Sequence, residues 1–227
     1  MKKGNSKRVE SIYNLTEHLK EKSFKPIYFL FGDDEYVISN SVKEISRSIS
    51  PLVTNDFDSE IINVNKDTPL SYMIDNAYTF PFGSEKKLLI VKNFENFGDK
   101  KAFKEYINNP AEFTILIIIQ FGKKLDFRRE PYRTLVENGY LFMAKELKGI
   151  ELQNWTIRKA KELEIEIRQN EVEILIDLVG ENKFMIEMNL QKIQNYLGSR
   201  NKIAISDFDY LISNTKEYSV FNLQDKL

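Results

Sequence analysis

The sequence predicts an α/β protein: a parallel sheet covered by helices, followed by a smaller helical domain. Three observations predict it. Short apolar runs alternate with helical patterns through the first 145 or so residues, the mark of a doubly wound sheet with right-handed crossovers. Several of these runs are apolar throughout, as parallel strands covered on both faces are. Near residues 145–150 the pattern changes, and the remainder of the chain reads as helix alone.

Apolar runs at 27–31, 60–64, 87–91, 114–120 and 140–144 are short and rich in Ile, Val, Leu, Phe and Tyr, and they predict strands. Between them, helices are expected at 34–49, 69–77, 100–107 and 131–136. In the first of these, Val37, Ser41, Val42, Ile45 and Ile49 repeat at spacings of three and four. Asp33 and Asp34 suit its N-cap and first turn, because carboxylates accept the orphan N–H groups and favour the positive dipole end. Beyond Leu147, "ELQNWTIRKAKELEIEI" places Leu152, Trp155, Ile157, Ala160 and Leu163 on one helical face. "EVEILIDLVGENKFMIEMNLQKIQNYLG" reads as two helices broken near Gly180, and "SDFDYLISNT" starts a fourth with Ser206 as N-cap. The final "YSVFNLQDKL" reads as an amphipathic helix cut off mid-pattern, as in a truncated chain or at a frayed terminus.

Composition bounds the function. A chain of 227 residues holds one large domain or two small ones, and 42% hydrophobic residues are enough for a core. The net charge of −1 gives no global basic footprint for nucleic acid or anionic membrane, although local patches stay open. There is no cysteine, so disulfides and thiolate metal sites are absent, which is compatible with a reducing cytoplasm. His18 is the only histidine and reads as a solvated surface residue rather than a metal ligand or catalytic base. The longest apolar stretch, "FTILIIIQF", has nine residues and is too short to span a bilayer as a helix. The basic N-terminus, "MKKGNSKRVE", has no long apolar region after it and does not read as a signal peptide.

The turn "FGDDEY" after the first long strand stands where a nucleotide-binding fold would cradle phosphate. That chemistry needs G-x-x-x-x-G-K followed by Ser or Thr, so that backbone N–H groups and a lysine surround the anion. Here there is one glycine, no lysine and three acids that would repel a triphosphate. Neither G-x-G-x-x-G nor an acidic pair ending a strand for magnesium is found, and "TILIIIQFG" ends in Gln120 instead. The acidic turn therefore reads as a helix cap. "NDFDSE" at 55–60 reads as a polar loop before a strand rather than paired acids for metal or acid–base work, and the three arginines of "FRREPYR" at 127–133 as a solvated loop, the alternative being a contact to phosphate or a partner carboxylate.

"TFPFGSEKKLLIV" at 79–91 stands apart. Phe80 and Phe82 flank Pro81 directly before a polar turn and a strong strand. Two aromatics in a turn beside Pro and Gly do not both turn easily into a core. Exposed neighbouring aromatics mark binding surfaces and serve as anchors in partner pockets; the alternative is that both pack under the sheet edge.

The ordered set "PIYFLFGDDEYVISNSVKEI", "FPFGSEKKLLIVKN", "FTILIII", "LQNWTIRKAKELEIEI" and "GENKFMIEMNLQKIQNYL" resembles the delta subunits of bacterial DNA polymerase III, over residues 26–227. The resemblance implies an AAA+-like domain of P-loop NTPase type without a working ATP site over 1–146, a helical lid over 147–214, and the start of a truncated helical collar over 215–227. It implies a subunit of the polymerase III holoenzyme, a nucleotidyltransferase, with no catalysis of its own, no cofactor and no metal. The implied role is to bind and help open the sliding clamp (the beta subunit) for loading on primed DNA, beside clamp-loader ATPase subunits and a delta-prime-like subunit, in the cytoplasm and away from membranes. In such proteins a pair of bulky apolar residues before a strand enters a pocket on the clamp. Counting back from Leu88, Phe82 matches the second of that pair and Pro81 the first, with Phe80 one further back. Many relatives place two large side chains together or a second aromatic at the position of Gly83, so either Phe80 or Pro81 completes the pair here. Two other readings stand beside this one: an active nucleotide-dependent enzyme, and a degenerate AAA+-like nucleic-acid-binding protein using Lys86, Lys87, Lys92, Lys123, Lys124, Arg128 and Arg129.

Overall fold

The computed structural model describes residues 9–20, 24–122 and 124–208. Six strands, β1 (Glu10–Ser11), β2 (Ile27–Gly32), β3 (Ser59–Asn63), β4 (Lys87–Lys92), β5 (Thr114–Phe121) and β6 (Leu141–Ala144), form one sheet. Their order is β1-β6-β2-β5-β4-β3, and every pairing is parallel. This is the expected α/β sheet. Each of the five apolar runs is a strand; β2 and β5 are covered on both faces as central parallel strands are, whereas β3, at the sheet edge, leaves Ile61 exposed.

Side chains alternate across the sheet with period two. Phe29, Phe31, Leu89, Val91, Leu116 and Ile118 face one layer, where they meet Met73 and Ala77 of α3 (Leu70–Tyr78), Phe103 and Tyr106 of α4 (Phe103–Asn108), and Leu135 of α5 (Tyr132–Glu137). Tyr28, Leu30, Leu88, Ile90, Ile115 and Ile117 face the other. There they meet Val37, Ile38, Ile45 and Ile49 of α2 (Glu35–Ile49), together with Ile12 and Leu15. Fully burying one such side chain is worth about 1.5–3 kcal/mol, so both layers are needed to hold the sheet.

Two N-terminal elements were not expected. Strand β1 pairs with β6 through Glu10↔Phe142, and α1 (Leu15–Lys20) comes after it. His18 is not simply solvated: its Nε2 lies 3.0 Å from Glu10 Oε2.

The chain divides into two compact units, Met1–Glu146 and Leu147–Leu227. In the second, α6 (Ile150–Glu162), α7 (Gln169–Val179) and α8 (Lys183–Leu197) bury Leu152, Trp155, Ala160, Val172, Leu175, Ile186, Leu190 and Ile193. The break near Gly180 is real: Gly180 takes φ +82° and ends α7. Two details are corrected. The apolar pattern at 163–167 is not helical, since Glu164 has φ +59° and Glu166 forms a parallel bridge with Lys202. Ser206 lies inside a short 3-10 turn (Ile205–Asp207) rather than capping a helix, and Asp207 Oδ2 accepts the N–H of Ala204 at 2.8 Å. The remainder of that expected helix and the segment 215–227 lie outside the described residues.

Candidate functional site

The turn after β2 is built for packing. Gly32 has φ +140°, and a Cβ placed on it would stand 2.2 Å from the carbonyl oxygen of Ala144. The amides after it are already engaged. Asp34 N–H donates to Ala144 O (3.4 Å), Glu35 N–H to Asp33 O (3.1 Å) and Val37 N–H to Asp34 Oδ1 (3.1 Å). Asp34 is thus the N-cap of α2, as its sequence position predicts. Among the described residues, no three His, Asp or Glu side chains lie together in a way that could hold a metal ion.

The 79–84 turn lies at the opposite end of the sheet. It precedes β4, whereas the acidic turn comes after β2, and all strands run the same way. Its root is held by two buried side chains. Lys87 Nζ donates to Asn76 O at 2.9 Å, and Thr114 Oγ1 donates to Ala77 O at 2.8 Å, so both cover carbonyls at the C-terminal end of α3. Lys87, only 5% exposed, is therefore no part of a basic surface patch.

The tip is held by Asp58. This carboxylate is 1% exposed and accepts backbone N–H groups from Phe82, from Gly83 at 3.1 Å and from Ser84 at 2.9 Å. Asn55 Nδ2 adds a fourth bond at 2.7 Å and also reaches Ser84 Oγ at 3.1 Å. Burial alone would raise the pKa of Asp58. The bonds from Phe82, Ser84, Asn55 and Gly83 outweigh it and hold the group well below the usual carboxylate range. A buried carboxylate with so many donors is satisfied and fixes the turn that donates to it.

With root and tip fixed, the apolar side chains point outward. Phe82 is 84% exposed and Phe80 77%, while Pro81 is half-buried. The two phenylalanines do not share one environment. Phe80 stacks on Phe113, with centroids 4.3 Å apart and planes at 28°. Phe82 lies 5.9 Å from the ring of Phe57, which is itself 83% exposed. Phe57 and Asp58 come from the 3-10 turn Asp56–Asp58 within "NDFDSE", capped by Asn55. Read from the sequence, that stretch is only a polar loop. A lone Phe among acids directly before an edge strand is the signal that could have marked it.

The arginine loop is internally paired. Arg128 and Arg129 reach Asp126 at 3.0 and 3.4 Å, and Arg133 reaches Glu130. Burial would raise the pKa of Glu130, but bonds from Thr134, Arg133 and Lys104 bring it down to about 2. Lys86 Nζ donates to the carbonyl of Glu112 at 2.7 Å. Lys123 lies outside the described residues.

A family model described as "DNA polymerase III, delta subunit" matches residues 28–145, just over half of the chain and nearly all of the sheet. The chain belongs to the DNA polymerase III delta subunit family. Among curated proteins, this delta-family chain is 29% identical over 226 residues to DNA polymerase III subunit delta of Bacillus subtilis, covering 95% of the chain and 65% of the relative. It is 22% identical over 211 residues to a probable DNA polymerase III subunit delta of Aquifex aeolicus, covering 88% of the chain and 59% of the relative. The chain thus spans under two thirds of the length of these relatives. The solved structure of the Bacillus subtilis DNA clamp loader delta protein superimposes with a TM-score of 0.74 at 29% identity, over 88% of this chain and 62% of that one. Among the described residues of this delta-family chain, no helix is long and apolar enough to cross a membrane.

Proposed function

We propose that this chain is a non-catalytic clamp-loader subunit of the DNA polymerase III holoenzyme, and that it docks on the sliding clamp through Phe82. The single observation that carries this reading is the outward presentation of Phe82 on a turn fixed by Asp58. An aromatic anchor held in place loses little freedom on docking, so more of its burial appears as affinity. Pro81 and Phe80 flank it on the same turn.

The internal bonding of the acidic turn supports the non-catalytic part. Its amides serve Ala144, Asp33 and Asp34, and its glycine is needed by β6. Energy for loading then comes from ATPase neighbours, and a delta-prime-like subunit is a further partner. Opening a closed ring requires a state that binds the open form better than the closed one; anchors of about 1.5–3 kcal/mol each supply binding but no cycle. Residues 1–146 form the docking α/β domain in this reading, 147–214 the lid, and 215–227 the start of the collar. Primed DNA is met indirectly or weakly, within the assembled loader.

The test is calorimetric titration of the 227-residue chain with the sliding clamp of the same cell. Saturable binding is expected. Phe82→Ala, folded by circular dichroism, should weaken it by about 10–150-fold, the equivalent of ~1.5–3 kcal/mol. A folded wild-type chain that does not bind the clamp would remove the proposal.

A further inference from the structure

Phe57 and Phe82 come from separate segments, yet they present one surface. Their centroids are 5.9 Å apart with planes tilted by 56°, and each ring remains more than four-fifths exposed. The juxtaposition is built rather than incidental. Asp58 comes directly after Phe57 and binds the amides of Phe82, Gly83 and Ser84, so the two segments are joined beneath the rings. A second tie runs beside it, from Thr54 N–H to Ser84 Oγ at 2.8 Å.

The geometry of the turn explains why Phe57 points out. Successive residues of a 3-10 turn project about 120° apart. Asp58 must face inward to meet its donors, which leaves Phe57 directed to solvent. Phe80 is placed differently: it lies flat on Phe113, a half-buried ring of its own chain, so one face is already covered. Gly83 contributes no side chain, and Pro81 is half-buried.

We infer that Phe57 is the second anchor of the docking site. The occupant is an apolar pocket on the sliding clamp, wide enough to receive the rings of Phe57 and Phe82 together. This rests on the clamp-docking reading above and deepens it, because the second bulky group is supplied from across the fold rather than from the neighbouring position. Continuity with Phe82 identifies the occupant: a pocket that takes Phe82 meets Phe57 in the same approach. Asp56 is exposed beside the pair, which favours a partner surface without acidic residues at that edge.

The experiment is titration of the sliding clamp with the full chain and with Phe57→Ala, Phe80→Ala, Phe82→Ala and the Phe57→Ala/Phe82→Ala double variant. All are checked by circular dichroism, and unfolding is not expected for such exposed positions. Phe57→Ala should weaken binding at least tenfold, Phe80→Ala less than threefold, and Phe57→Leu should restore part of the loss. The double variant should lose less than the product of the two single losses, since two rings in one pocket act together. Wild-type affinity for Phe57→Ala, with Phe82→Ala still impaired, overturns the inference and leaves the docking reading standing. No binding by the folded wild-type chain removes both.

Discussion

Gly32→Ala tests whether the turn after β2 exists for packing. Two costs are expected at once. The new Cβ would sit 2.2 Å from Ala144 O and 2.8 Å from Ala144 C, both main-chain atoms of the last residue of β6. They cannot move aside without disturbing the Gly32↔Ala144 register of β2 and β6. Overpacking of this kind costs about 1–3 kcal/mol. In addition, φ of +140° lies where L side chains are strained, for a further ~1–3 kcal/mol. A loss near 4 kcal/mol would consume a large share of the ~5–15 kcal/mol that holds a typical domain. At about 2–4 °C per kcal/mol for chains of this size, the melting midpoint should fall by about 8–16 °C. Thermal unfolding by circular dichroism is the assay. Gly83→Ala is the control: its Cβ would meet only Asn55 Nδ2 at 3.5 Å, an ordinary contact, so a change within about 1 kcal/mol is expected. A Gly32→Ala variant that melts like the wild type would refute the packing argument and return the turn to consideration as a ligand loop.

Asp58→Ala should leave the sheet folded but speed amide exchange at Phe82, Gly83 and Ser84, and it should weaken clamp binding although Asp58 is itself buried; unchanged exchange would show that the turn holds its shape without the carboxylate. The folded pKa of Glu130, about 2, lies below its ordinary 4.5, so its stabilising contribution is fully present above 4.5 and is lost as pH falls through 2. Glu130→Gln should flatten that part of an acid-unfolding profile, and an unaltered profile would contradict the assignment. Asn182→Ala removes the side-chain oxygen that accepts the N–H of Met185 at 3.1 Å, and it should cost about 1 kcal/mol, read as a shifted urea midpoint of the Trp155 fluorescence.

The parts of the fold that were legible are those where a residue's own character decides its place. Ile27 to Phe31 and Ile115 to Ile119 are apolar on both sides and have few homes outside a covered parallel strand. Asp34 caps α2 because carboxylates next to helix starts do so in most settings. Strand β1 was not legible, since Glu10 and Ser11 carry no apolar signal and become a strand only through pairing with β6. The docking turn was half legible. Phe80 and Phe82 announce themselves beside Pro81 and Gly83, but Asp58 acts on residues 24 to 26 positions away, and a single sequence does not display that distance as proximity. Lys87 misleads for the same reason: its charge suggests a surface, whereas Asn76, at the end of α3, gives it an interior partner.

The placement of β2 has a consequence for how the chain is made. This strand lies between β5 and β6, and both of its neighbours are synthesised long after it. Ile27 pairs with Leu116, and Phe29 with Leu141, 89 and 112 positions later. At ~5–20 residues per second, the first of these partners leaves the ribosome roughly 4–18 s after Ile27 does. Throughout that interval the most apolar strand of the N-terminal half has no edge to join. Slow folding with an exposed strand results from such long-range parallel pairing, and the nascent chain is the form of this protein most in need of a chaperone.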